Sequence, residues 1–245
     1  MAGTLLVAGG TATLNQYAER QFDSQMRRTK RRPLADGRIE PLRALWFGIA
    51  LSVSGLIYLV AAVNSLASLL ALITLSSYLL LYTPLKRRTP LCTLVGAFPG
   101  AVPPLIGWAA ASGTLSLRAW VLFSVVFLWQ FPHFMAIAWM YRDDYLRAGY
   151  LVLPRNERKN SFMAWQTLLP SLGLIGLSLA PALFSSQISA FDVGSLLISI
   201  LFSYFGGQLV LQKTNLAARR LLFASILYLQ AIFVLYILKT AWHFF

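Results

Sequence analysis

The chain has 245 residues, of which 58% are hydrophobic and 12% charged, and its 21 Lys and Arg outnumber 8 Asp and Glu for a net charge of +13. Polar cover this thin excludes a water-soluble enzyme and a disordered chain, and the lone Cys92 excludes a disulfide-stapled domain. What remains is a polytopic membrane protein, in which the placement of the charges says more than their sum, and the basic excess does not call for nucleic acid.

In chain order, runs of about 20 apolar residues, the length that a bilayer core of roughly 30 Å demands, fall near 44–63, 65–84, 92–111, 117–140, 162–182, 193–212 and 221–242. An eighth run, Met1 to about Ala18, contains Thr4, Gly9, Gly10, Thr11 and Thr13 and makes a marginal first span. No Lys or Arg precedes it, which argues against a secretory signal. Without the alternating polarity of barrel strands, the pattern predicts an all-α transmembrane bundle of about eight spans. The connections 19–43, 85–91, 141–161 and 213–220 hold 19 of the 21 basic residues, and only Arg118 and Lys239 belong to the other side. The positive-inside rule therefore puts these four loops in the cytoplasm. Seven of the eight acids (Glu19, Asp23, Asp36, Glu40, Asp143, Asp144, Glu157) share that face and Asp192 alone does not, so chemistry is expected there.

Asn15, Glu19 and Asp23 are spaced four apart, which stacks three oxygen-bearing side chains on one helix face. Carboxylates so placed repel, and Mg²⁺ held by one or two of them together with substrate phosphates would relieve the repulsion. The run Arg27 to Arg32 that follows suits either phosphate oxygens or anionic lipid. Tyr82 and Lys86, four apart where a span ends, read by spacing alone as an interfacial anchor with a snorkelling lysine. Gly96, Pro99, Gly100, Pro103 and Pro104 read as close helix packing and a kink.

Trp129-Gln130-Phe131-Pro132-His133-Phe134 interrupts the fifth span, and Gln130, His133, Ile137, Met140 and Asp144 follow helical spacing toward Asp143 and Asp144. A polar side chain at that depth either bonds a neighbouring helix or faces a site. His243 reads as interfacial and Cys92 as a packing residue. Neither a Gly-rich phosphate loop nor a zinc-type Cys/His cluster is present in the sequence, and no internal repeat of the kind common in transporters is evident.

Asn15-x-x-x-Glu19-x-x-x-Asp23, continuing to Met26, Arg28-Thr29 and Arg32-Pro33-Leu34, resembles the first motif of the UbiA superfamily of intramembrane prenyltransferases, in its haem O synthase branch of protoheme IX farnesyltransferases. Glu19 stands where the family commonly has Asp. Tyr82-x-x-x-Lys86, the Gly100-to-Trp108 segment with Pro103-Pro104, the Trp129-to-Phe134 block, Asp144-Tyr145 with Ala148-Gly149, and Leu153-Pro154 are similar to further elements of that branch.

The resemblance implies transfer of a farnesyl group from farnesyl diphosphate to a vinyl group of haem B, with water added, giving haem O. It assigns Mg²⁺ to Asn15, Glu19, Asp23, Asp143 and Asp144, leaving open which Asp of the last pair binds. It assigns catalysis to Asn15, Glu19, Asp23, Lys86 and Asp144, and the diphosphate to Arg20, Arg28, Lys30, Arg32, Tyr82, Lys86 and Arg87. Haem contacts fall to Trp129, Gln130, His133 and Arg142. Residues 1–245 would form one transmembrane prenyltransferase domain in a bacterial inner membrane, its site facing the cytoplasm and its product passed to haem A synthase or terminal-oxidase assembly. Members of the family usually have nine spans, so its first helix is expected to be missing here. Two other readings stay open: a superfamily branch acting on an aromatic or quinone precursor, and a transporter-like or inactive haem-binding membrane protein.

Overall fold

The computed structural model describes residues 1–154, 161–184 and 189–242. All regular elements among them are helical: α1 (Ala2–Asp23), α2 (Pro41–Ala62), α3 (Ser65–Ser76), a π-helical segment (Ser77–Tyr82), α4 (Thr83–Leu85), α5 (Cys92–Ala101), α6 (Pro103–Ser112), α7 (Leu117–Met140), α8 (Arg142–Arg147), α9 (Phe162–Phe184), α10 (Ala190–Gln212) and α11 (Asn215–Trp242). Among the described residues seven helices are long and apolar enough to cross a membrane, and they coincide with the seven clear runs of the sequence. The marginal first run is helical as well, but its Thr and Gly residues and the polar side chains of its last two turns keep it out of that group. Arg155, Glu157, Arg158, Lys159 and His243 lie outside the described residues.

The chain forms two compact units, one of Met1–Ser124 with the segment beginning at Arg142, the other of Val125–Tyr141 with the C-terminal helices. In the first unit α1 lies against α2 through small residues. A Cβ on Gly10 would fall 2.2 Å from Ser52 Oγ and 2.8 Å from the Gly48 carbonyl, and one on Gly55 would fall 2.8 Å from the Gly3 carbonyl. Between membrane helices, where burial from water supplies little attraction, such close approach lets van der Waals contact hold the pair. It also sets the height of Asn15, Glu19 and Asp23, which follow on α1.

Asn64 joins the far ends of neighbouring helices. Its Oδ1 accepts from Ala67 N at 2.8 Å, capping α3, while its Nδ2 donates to the Ala109 carbonyl of α6 at 2.8 Å. Around it pack Leu59, Ala67, Leu70, Val102, Leu105 and Ala109. Pro103 and Pro104 open α6 directly after α5, since a proline has no N–H to continue the preceding ladder.

In the second unit Pro132 lies inside α7, which runs unbroken from Leu117 to Met140, the limits of the apolar run in the sequence. Helices α9, α10 and α11 are joined by hydroxyls. Ser199 Oγ lies 3.2 Å from Tyr228 Oη, Ser203 Oγ reaches the Ser171 carbonyl at 3.4 Å, and the Phe202 and Tyr228 rings stack at 4.7 Å. Ser189 and Asp192 form a reciprocal cap at the start of α10, and Lys239 of α11 donates to Asp192 Oδ1 at 2.6 Å. The acid and the base that the charge pattern put on the same, opposite side are thus direct partners.

The contact between α1 and α2 predicts a contrast between adjacent glycines. Gly10→Ala should destabilise the purified protein by about 1–3 kcal/mol. Gly9→Ala, whose Cβ would meet only Leu51 Cδ1 at 3.7 Å, should be neutral or slightly stabilising. Thermal melts of the two variants in detergent check this.

Candidate active site

The last two turns of α1 bury three polar side chains in the first unit: Asn15, Glu19 and Asp23. Both oxygens of Glu19 are engaged, Oε2 by Asn15 Nδ2 at 3.0 Å and Oε1 by Lys86 Nζ at 2.9 Å. Asp23, 1% exposed, accepts from Arg32 Nη1 on Oδ2 at 2.9 Å, while its Oδ1 is buried without a hydrogen-bond partner. The Asp23 carbonyl in turn accepts from the buried Thr29 hydroxyl at 3.0 Å, which folds the basic segment back toward α1.

Lys86 is delivered by an irregular stretch. Ser77–Tyr82 is π-helical, a widened turn of a kind frequent at functional sites, and it leads into Pro84, which has no N–H to donate. Tyr82 sits against Gly96, where a Cβ would come within 2.5 Å of the ring, so only glycine lets the ring lie there. The Lys86 ammonium rides 4.5 Å from the Tyr82 ring centroid and 5.8 Å from that of Tyr78. Thr83 Oγ1 lies 3.1 Å from Asn15 Oδ1 and donates to the Tyr78 carbonyl at 2.9 Å. Burial works against the charge on Lys86, but Tyr82 and Glu19 outweigh it and hold its pKa above the usual lysine value.

The second acidic pair divides by burial. Asp144 is buried and bonded by Arg147, whereas the Asp143 side chain is 79% exposed and only 4.0 Å from Arg142. After α8 the chain turns at Gly149, whose φ of +70° favours glycine, and Tyr150 follows. Leu151 N donates to the Lys86 carbonyl at 2.7 Å, so the segment after α8 is fastened beside the lysine. Tyr145 is held neutral by burial, against the opposing pull of Arg28.

The other expected phosphate ligands are spread around this cluster. Arg20 donates to the Tyr17 carbonyl at 2.6 Å and lies over the Tyr17 ring, Arg87 covers the Phe22 ring at 4.2 Å, and Arg28 and Lys30 are exposed. In the second unit Trp129 Nε1 donates to the Ser225 carbonyl at 2.7 Å, and His133 Nδ1 lies 2.7 Å from Ser225 Oγ. Ser225 Oγ donates its one proton to the Leu222 carbonyl at 2.6 Å, so His133 Nδ1 must be the donor and Nε2 the unprotonated nitrogen. Gln130 Nε2 donates to the Val126 carbonyl at 3.1 Å.

Thr83, Arg147, Tyr150 and Ser225 were not singled out by sequence. Thr83 lay inside the Tyr82-to-Lys86 motif and Tyr150 directly after Ala148-Gly149, so both had a signal. Ser225 lies in α11, for which the sequence suggested no site residue.

Among the described residues every regular element is helical, and the first unit buries carboxylates against lysine and arginine at the end of α1, a frame to be set beside the intramembrane prenyltransferases. The UbiA prenyltransferase family model matches residues 1–232. A protoheme IX farnesyltransferase of Solibacter usitatus is 49% identical over 236 residues, 96% of this chain and 81% of that protein. One from Koribacter versatilis is 40% identical over 245 residues, 97% and 79% of the respective chains. Among solved structures, that of a digeranylgeranylglyceryl phosphate synthase is similar with a TM-score of 0.75 at 18% identity, covering 95% of this chain and 81% of that one. The apo UbiA homolog from Aeropyrum pernix K1 is similar with a TM-score of 0.69 at 18% identity, over 98% and 87%. The chain belongs to the UbiA prenyltransferase family and is a multi-pass membrane enzyme.

The Glu19–Lys86 pair, with side chains 7% and 13% exposed, predicts non-additive stability. Lys86→Met should cost about 3–5 kcal/mol, roughly 10 °C in melting temperature, because it strands Glu19. Adding Glu19→Gln should restore most of that. Because folding raises the Lys86 pKa, its contribution is fully present below the unfolded value of about 10.5 and is lost only as pH rises through the folded one. The melting difference between the unaltered chain and Lys86→Met should therefore stay constant from about pH 6 to 9 and narrow only in stronger alkali.

Proposed function

We propose that the enzyme transfers the farnesyl group of farnesyl diphosphate to a vinyl group of haem B, with addition of water, to give haem O for terminal oxidases, directly or by way of haem A. The reading is supported by curated relatives that carry the name protoheme IX farnesyltransferase over nearly the whole chain. The single structural observation that carries it is Asp23, a buried carboxylate with one oxygen on Arg32 and the other unpartnered. The charge pattern supports a cytoplasmic orientation of this site in what we take to be a bacterial inner membrane.

Among the described residues no three His, Cys, Asp or Glu side chains converge to cage a metal ion. Mg²⁺ does not require such a cage, since it is commonly bound by one or two carboxylates and completed by water and substrate phosphate. Asp23 would supply its free oxygen, with Asn15, Glu19 and Asp144 as further candidates; the exposed Asp143 is the weaker of its pair. When bound, Mg²⁺ would neutralise the diphosphate and make it a better leaving group.

The remaining work falls to side chains of this protein. Lys86, Arg32 and Arg28 would face the negative charge that grows on the diphosphate as the allylic C–O bond breaks. The vinyl terminus would then attack the farnesyl cation, forming the new C–C bond, and the cation left next to the pyrrole would take up water and release a proton. Water must otherwise be kept from the allylic cation, which a site among membrane helices favours. In the second unit the unprotonated Nε2 of His133, beside Trp129, is a candidate contact for haem, together with Gln130; Arg142 is the candidate partner for a propionate.

Membranes containing the unaltered chain, supplied with haem B, farnesyl diphosphate and Mg²⁺, should yield hydroxyethylfarnesyl haem detectable by mass spectrometry. Asp23→Ala, or chelation of divalent cations, should reduce the yield at least a hundredfold. A prenylated quinone precursor with no haem product would overturn the reading in favour of another branch of the family.

A further inference from the structure

Tyr150 is 3% exposed, and its hydroxyl, which has the Glu19 carboxylate as its neighbour, makes no well-formed hydrogen bond to it or to any other group. A buried hydroxyl left unpaired is costly, and native structures leave few of them without a reason. Its surroundings locate it. The ring packs with Met26 and Ala148 and lies 5.9 Å from Phe22 and 6.1 Å from Tyr145, so it is beside the end of α1 that carries Glu19 and Asp23. The backbone holds it there from both sides, Tyr150 N donating to the Tyr145 carbonyl at 2.9 Å and Leu151 N to the Lys86 carbonyl at 2.7 Å. A second buried oxygen in the same cluster, Asp23 Oδ1, is also without a partner.

The two orphans are of opposite kinds. Asp23 Oδ1 accepts and suits a cation, whereas a phenol can donate and suits an anionic oxygen. A magnesium diphosphate presents both. We propose that Tyr150 is a binding residue for the substrate diphosphate, donating its hydroxyl proton to a phosphate oxygen at the side of the site opposite in role to Asp23. The inference rests on the prenyl-diphosphate reading above and adds a ligand to it. Burial, and next the negative charge of Glu19, keep the phenol protonated well above the ordinary tyrosine range, so the donor is present at any pH at which the enzyme works. The turn at Gly149, φ +70°, is what brings the residue back from α8 to this position.

Tyr150→Phe tests this directly, because it removes one oxygen and leaves the ring packing in place. Binding of Mg²⁺-pyrophosphate and of haem B to the full chain in detergent would be measured by calorimetry for both proteins, alongside their melting temperatures. The expected result is a roughly tenfold or greater loss of pyrophosphate affinity, a value typical for a hydrogen bond to a charged group, with haem B affinity unchanged and the melting temperature unchanged or raised, since an unpaired buried hydroxyl is removed. Equal pyrophosphate affinity in the two proteins would overturn the role of Tyr150 while leaving the diphosphate site standing. A parallel loss of both ligands with a fall in melting temperature would make Tyr150 merely structural and overturn it too. If the unaltered chain binds no Mg²⁺-pyrophosphate, the diphosphate reading fails together with the inference.

Discussion

The salt bridge between Glu19 and Lys86 is the constraint around which the first unit is arranged. A carboxylate buried at the end of a membrane helix is tolerable only when a counter-charge and hydrogen bonds replace the water it has lost. Glu19 obtains both, from Lys86 and Asn15. To bring the lysine there the chain widens into a π-helical turn, lays its ammonium against two tyrosine rings, and fixes its carbonyl by Leu151 N. Asp23 follows the same logic less completely, since Arg32 satisfies one of its oxygens and leaves the other for something the protein does not itself provide.

Glycine sets the distances on which these pairs depend. Gly10 and Gly55 let α1 and α2 approach until backbone meets side chain, and Gly96 makes room for the Tyr82 ring under Lys86. None of the three bears chemistry. A methyl group at any of them would meet its neighbours at under 3 Å, so backbone or ring would have to shift.

Much of this was legible in the sequence, and the reason differs from part to part. The seven spans showed because the bilayer imposes a length and a polarity that few other environments require. The stripe of Asn15, Glu19 and Asp23 showed because helical spacing by itself puts such residues on one face. The proline in the Trp129-to-Phe134 block costs one N–H but does not stop α7, in keeping with the apolar run at 117–140. Asp143 and Asp144 were indistinguishable as neighbours, and only the start of α8, which buries one and exposes the other, separates them. Tyr150 and Ser225 act through contacts distant in sequence, to which no local spacing rule applies.

The resting charge pairs also bear on how a substrate could enter. Displacing Lys86 from Glu19 by a bare diphosphate would leave a buried carboxylate without a partner, and a lone cation on Asp23 Oδ1 would put an uncompensated positive charge beside Arg32. Either change alone strands a charge in a medium that penalises it heavily. A magnesium diphosphate carries both signs, so carboxylates could pass to the metal as lysine and arginine pass to phosphate, and each buried charge would keep a partner throughout. On that reading the pairs seen here are mutual placeholders, and the protein's own cations become available to the leaving group as its carboxylates are taken up by the ion that accompanies it.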